Sequence, residues 1–145
     1  MRTLAIDLGS RRVGLALSDA AGQLASPLRV LTVTSPDQAI APILSIIRDE
    51  SVERLVLGLP INMDDSLGPA ARGVMAWAKQ LQSQSNLPLI FVDERLSSFA
   101  AEQDLIARKR LGEKLTRKRK KEQLDALAAA SFLQAFLDGK LKPIV

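Results

Sequence analysis

Short apolar runs alternating with helical patterns limit the fold of this chain more than any other feature. Residues 54–59 (RLVLGL) and 87–92 (LPLIFV) are nearly unbroken apolar segments of strand length. Strands of that kind are buried on both faces, which implies parallel pairing under helices. The spacing predicts one helix before the first run and another between the two. The first starts at Ser35-Pro36-Asp37, with Ser35 as N-cap and Pro36 at the first helical position. Ala39, Ile40, Ile43, Leu44, Ile46 and Ile47 give it a broad apolar face. The second covers about 69–84, and further helical patterns cover 97–110 and 119–138. Ahead of these, residues 3–8, 13–18 and 28–33 read as strands joined by turns at Gly9–Arg11 and Asp19–Gly22, an antiparallel meander. The expected fold is α/β: one domain over 1–145, with a five-stranded mixed sheet, meander first and parallel strands after, flanked by helices.

The chain contains neither histidine nor cysteine. That excludes a Ser-His-Asp triad, a cysteine nucleophile, thiolate or imidazole zinc sites and disulfides. Any hydrolytic chemistry must use carboxylates, lysines or hydroxyls, and hard oxygen ligands suit Mg²⁺ or Mn²⁺. An acid at position 7 interrupts the stretch where a secretory signal would be apolar, and no run is long enough to span a bilayer. A cytoplasmic protein is expected.

Three acidic positions stand out. Asp7 lies in an apolar strand, on the face of Ala5 and Gly9 and opposite Leu4, Ile6 and Leu8. A carboxylate there needs a partner, a hydrogen bond or a metal; the plain alternative is that it satisfies the turn from Gly9 to Arg12. Asp93-Glu94-Arg95 follows the 87–92 run, at the carboxyl end of a strand, where open α/β sheets place ligands. Strand parity does not decide which of the two acids enters a cleft. In the last helix Leu124, Leu127, Ala128, Ser131, Phe132 and Ala135 form the expected buried stripe. Asp125 shares a flank with Ala128, Ala129 and Phe132, so that flank should approach something closely; the alternative is an acid favoured by the helix macrodipole. Converging carboxylates would repel one another, and a divalent cation relieves that repulsion. Two such ions could activate water and stabilise the leaving oxygen in phosphodiester hydrolysis.

Four stretches together resemble one known family. They are Asp7-Leu8-Gly9-Ser10-Arg11-Arg12-Val13-Gly14-Leu15-Ala16, Gly58-Leu59-Pro60-Ile61-Asn62-Met63-Asp64, Asp93-Glu94-Arg95-Leu96-Ser97-Ser98 and Asp125-Ala126-Leu127-Ala128-Ala129. In this order and over nearly the whole chain, they are similar to the YqgF family, also called RuvX, whose members carry the names Holliday junction resolvase and pre-16S rRNA nuclease. The resemblance implies a ribonuclease H-like fold and a nuclease that processes the 5′ end of pre-16S rRNA in ribosome biogenesis. It implies Asp7, Glu94 and Asp125 as catalytic, metal-holding acids, with Asp93 as a supporting neighbour. Two positions depart from the family pattern: Asp65 stands where many members have glycine, and Ser97-Ser98 replace the commoner threonines.

Charge is concentrated in one place. Residues 108–121 hold nine basic side chains and one acid, a net of +8 against +4 for the chain, so the rest is acidic by the difference. Arg108, Lys109, Arg110, Lys114, Arg117, Lys118, Arg119, Lys120 and Lys121 are therefore expected to meet phosphates. Arg12, close in sequence to Asp7, could hold a phosphate through paired hydrogen bonds or pair with Asp19. Aromatic residues make up 3% of the chain and none lies in the basic run, which favours backbone and shape recognition of structured RNA or branched DNA over base reading. The rival readings are a Holliday junction resolvase on the same fold, which would need a homodimer for paired cuts, and a non-catalytic nucleic-acid-binding factor.

Overall fold

The computed structural model describes residues 1–93, 95 and 117–144. Its elements run β1 (Thr3–Leu8), β2 (Arg12–Ser18), β3 (Ala25–Thr32), a 3₁₀ turn (Pro36–Ala39), α1 (Ile40–Asp49), β4 (Arg54–Leu59), α2 (Pro69–Ser85), β5 (Leu89–Asp93) and α3 (Arg117–Leu137). The five strands form one sheet in the order β3-β2-β1-β4-β5. β1, β2 and β3 pair antiparallel, whereas β4 joins β1 and β5 joins β4 in parallel. This is the mixed sheet that the apolar runs imply. The 97–110 helix lies outside the described residues.

Alternation along β1 separates two cores. Leu4 and Ile6 face α1 and α2, in a layer with Leu15, Ile43, Leu55, Leu57, Trp77 and Leu81. Ala5 faces the other way, with Ala16, Val56 and Val92, against Ala129, Ala130, Phe132 and Leu133 of α3. Burial on both sides explains why β4 reads as a continuous apolar run. Trp77 fills the first core while its indole Nε1–H donates to the Pro36 carbonyl at 2.9 Å, pinning α2 to the 3₁₀ turn. Asn86 ends α2 in the left-handed conformation (φ 58°), and its N–H returns to the Gln82 carbonyl at 2.8 Å.

Three local expectations are corrected. Ser35 stands at the N-cap position with Pro36 at the start of the turn, as expected, but the turn is 3₁₀ and the Ser35 side chain makes no cap; the Gln38 Oε1 accepts from Thr34 N instead, at 2.9 Å. β3 begins at Ala25, three residues earlier than expected, and contains Pro27. Proline is tolerated because β3 is an edge strand and need not donate outward. Of the expected α3 stripe Leu127, Ala128 and Phe132 are buried, Ser131 and Ala135 are only half-buried, and the Leu124 side chain lies outside the description; the packing on the sheet runs through Ala129, Ala130, Phe132 and Leu133, with Phe136 and Leu137 beside it. Alanines at 126 and 128–130 let the helix sink until several of its sides are covered.

Candidate active site

The carboxyl ends of the parallel strands β1, β4 and β5 lie at one edge of the sheet, and Asp7 and Asp93 both sit there. Asp7 shares the α3 face with Ala5 and is half-buried. Across the β1–β2 ladder its partner is Gly14. The turn between the strands closes itself through Gly9 N–H to the Arg12 carbonyl at 3.0 Å. A side chain at Gly9 would stand 2.5 Å from that same carbonyl oxygen, so the residue after Leu8 must be glycine for the turn to form.

Gly14 has a second role. A methyl group added there would lie 2.5 Å from the carbonyl carbon of Asp125, closer still to its oxygen, and 3.1 Å from Ala126 N. The α3 backbone therefore rests directly on β2 at a position where only glycine fits. Asp7 and Asp125 thus flank one glycine on one face of the sheet, although 118 positions separate them in the chain. Asp125 is the ninth residue of α3, on the stripe of Ala129 and Phe132, four and seven positions on. It lies beyond the first turn, where the macrodipole could account for an acid. The close approach expected beside Asp125 is this contact.

Arg12 does not pair with Asp19. Its Nε donates to Asp125 Oδ2 at 2.7 Å, the side chains being 38% and 26% exposed. Asp19, the alternative, instead accepts the backbone N–H groups of Gln23 and Leu24 at 2.7 and 3.1 Å. These hydrogen bonds hold its carboxyl below the ordinary range.

Asp93 is turned to the other face of the sheet. It follows the parity of Leu89 and Phe91, which pack on the first core, whereas Val92 belongs to the second. Its carboxylate is occupied by Arg95, with Nε at 3.0 Å from both oxygens, Nη2 at 2.7 Å from Oδ2 and the Arg95 N–H at 3.0 Å from Oδ1. The hydrogen bonds from this guanidinium keep Asp93 ionised well below the usual carboxylate range, against the opposing effect of burial. Arg95 itself is held in its charged form, chiefly by Asp93 and then by Asp65. Its Nη1 donates to the Asn62 carbonyl at 3.0 Å and Nη2 to Asp65 Oδ1 at 2.8 Å. Arg95 thus ties the loop after β4 to the end of β5, a role that sequence reasoning missed; only its place between two acids and a turn hinted at it.

Within that loop Asp65 adopts φ 66°, in the left-handed region. That is where glycine is at ease and where aspartate is among the few tolerated substitutes, which accounts for the departure at this position. Ser66 Oγ donates to Asp64 Oδ1 at 2.5 Å and its N–H to the same oxygen at 3.0 Å, pulling the Asp64 carboxyl down.

Glu94, Arg108, Lys109, Arg110 and Lys114 lie outside the described residues. Arg117, Lys118, Arg119, Lys120 and Lys121 occupy the first turns of α3, and their side chains also lie outside the description. Among the described residues no three acids gather closely enough to hold a metal ion, and no helix is long and apolar enough to cross a membrane. The residues present nonetheless fit a divalent cation in kind. Asp7 and Asp125 are hard oxygen donors on one face, at an open sheet edge, in a chain without histidine or cysteine.

Comparisons with known proteins bear on the family and the fold. The family described as "RuvX: Holliday junction resolvase" matches residues 1–139. A protein of Roseiflexus sp. (strain RS-1) named "Putative pre-16S rRNA nuclease" is 39% identical over 139 residues, covering 96% of this chain and 95% of that one. A protein of the same name from Chloroflexus aurantiacus is 41% identical over 137 residues, covering 94% and 86%. Among solved structures, RuvC of T. thermophilus in complex with a Holliday junction superposes with a TM-score of 0.59 at 18% identity, covering 99% of both chains. The Fowlpox virus resolvase with its junction DNA gives 0.55 at 10% identity, covering 94% of this chain and 99% of that one. At such identities the likeness is one of fold, and the fold is ribonuclease H-like.

Proposed function

The chain belongs to the RuvX family, and on that premise we propose that it is a divalent-metal-dependent nuclease, one ribonuclease H-like domain hydrolysing phosphodiester bonds at the 5′ end of pre-16S rRNA. The observation that carries this reading is the placement of Asp7 and Asp125 on either side of Gly14 at the carboxyl edge of the sheet. Asp7, Asp125 and Glu94 would hold Mg²⁺ or Mn²⁺. Glu94 is favoured over Asp93 as the third acid because Asp93 faces the other core and is taken up by Arg95. A cation held there would supply Lewis-acid chemistry, activating water and offsetting charge on the phosphate.

The chain's own residues bind and orient. Gly14 sets the spacing of the two acids by letting α3 rest on β2. Arg95, by fixing Asp93 to the loop at Asn62 and Asp65, steadies the end of β5, the residue before Glu94 in the chain. The basic run 108–121 would hold the nucleic-acid backbone. One observation supports a ligand role for its last five members. They occupy the amino-terminal turns of α3, where the macrodipole disfavours cations and no acid is present in the first turn. Five cations retained against that local preference suit contact with phosphates. A precursor rRNA substrate implies a cytoplasmic location.

The family description favours a second reading, resolution of four-way DNA junctions, served by the same acids. The test is cleavage by the purified protein of a 5′-extended 16S RNA fragment and of a four-way DNA junction, each with Mn²⁺ and with chelator. Metal-dependent cutting of the RNA alone supports the rRNA reading. Paired cutting of the junction alone supports the second, and cleavage of neither refutes both.

A further inference from the structure

The contact between Arg12 and Asp125 is out of place for a carboxylate reserved for a metal. The guanidinium reaches Asp125 Oδ2 at 2.7 Å from the start of β2, across 113 residues of sequence. Both side chains are partly exposed, so the pair is neither buried structural glue nor a surface accident of neighbouring residues. A guanidinium fork fits a phosphodiester as well as it fits a carboxylate. A divalent cation and a guanidinium cannot share one carboxylate oxygen without repulsion.

We propose that Arg12 is a displaceable counter-ion of Asp125. In the free protein its guanidinium holds one oxygen, Oδ2, of the carboxylate that takes the cation. An arriving phosphodiester draws the guanidinium to itself and frees the carboxylate, so that metal and nucleic acid bind with mutual assistance. The inference rests on the reading of Asp125 as a metal-holding residue. It adds that Arg12 couples the two ligands and suppresses metal binding when no substrate is present. By linkage the coupling must be reciprocal: nucleic acid tightens metal by the factor by which metal tightens nucleic acid. Arg12 is in this sense a positioning residue as well as a phosphate contact.

The test is Mn²⁺ binding, read from the free-ion paramagnetic resonance signal, with and without an RNA hairpin at low temperature. Wild type, Arg12→Ala, Arg12→Lys and Asp125→Asn are compared after melting curves confirm that each is folded. Wild type should bind Mn²⁺ roughly tenfold more tightly with the hairpin present, within the usual span of coupling between sites. Arg12→Ala should bind Mn²⁺ more tightly than wild type without RNA, and its affinity should respond to RNA much less. Arg12→Lys, which keeps the charge but not the fork, should fall between. An Arg12→Ala affinity equal to or weaker than wild type overturns the proposal while leaving the metal site intact. Mn²⁺ binding that is unchanged in Asp125→Asn removes the carboxylate from the metal site, and the underlying reading fails with it.

Discussion

Gly14→Ala is the smallest change that should both loosen the fold and separate the acids. The added methyl would stand 2.5 Å from the Asp125 carbonyl carbon and nearer still to its oxygen. Every atom it meets is backbone, so no rotamer change makes room. Restoring an ordinary contact of about 3.5 Å requires α3 to lift by about 1 Å. That helix carries Phe132 and Leu133, both fully buried, into the second core. Overpacking of a close-packed interior costs about 1–3 kcal/mol, and a clash confined to backbone belongs at the upper end. For a chain of this size that corresponds to a fall in Tm of roughly 6–12 °C. Activity should fall further than stability explains, because displacement of a reacting group by about 1 Å can cost about a hundredfold in rate. Gly73→Ala in α2 is the control: nothing lies within 4 Å of its added methyl, and alanine in a helix interior should raise stability by up to about 1 kcal/mol. Melting curves and single-turnover cleavage below both transitions give the comparison. A Gly14→Ala protein that melts with wild type and cuts at its rate would refute the close packing of α3 on β2.

The other predictions concern charge. Asp7→Asn should stay folded and lose cleavage by roughly a hundredfold or more, whereas Asp93→Asn should be milder; equal losses would contradict the separate faces assigned to them. Wild type should melt higher with Mn²⁺, by about 2.7 kcal/mol at a hundredfold excess over Kd. Asp7→Asn should respond less, as differential scanning fluorimetry with and without chelator can show. Replacing Arg117, Lys118, Arg119, Lys120 and Lys121 with serine should weaken binding to all sequences and reduce the log–log salt slope by roughly 4 if all five meet phosphates. An unchanged slope would make them a solvated surface. The Asp93–Arg95 contact stabilises the fold only while Asp93 is ionised. Because its folded pKa is depressed, that contribution is present above the ordinary carboxylate value of about 3.9 and disappears as pH falls through the lower folded value. Arg95→Ala should therefore lower the urea midpoint at neutral pH, and the gap from wild type should close in acid. A gap of constant size would exclude this linkage.

Much of the architecture is legible because it follows from periodicity. The two-residue alternation in β1 already puts Asp7 on the face of Ala5, and the unbroken apolar runs already require helices on both sides of β4. The left-handed geometry of Asp65 is foreshadowed by its standing in a glycine position. Other features depend on neighbours far away in the chain. Pro27 hides the start of β3, since only the sheet order reveals an edge strand where proline is harmless. The choice between Asp93 and Glu94 needs to know which core Val92 enters, and a strand buried on both faces carries no such mark. The small residues beside Asp125 announce a close approach, but Arg12 and Asp125 meet only because Gly14 lets α3 lie against β2, and no local pattern names either as the other's partner.

The central claim is that Asp7 and Asp125 hold one divalent cation between them in a nuclease site. The most direct measurement is an anomalous difference map from crystals of the protein with a short RNA and Mn²⁺. A peak within about 2.5 Å of a carboxylate oxygen of each residue, absent from Asp7→Asn crystals grown alike, is the result predicted. A map in which Mn²⁺ binds elsewhere, or in which Arg12 still holds Asp125 while the RNA is cut, would contradict it.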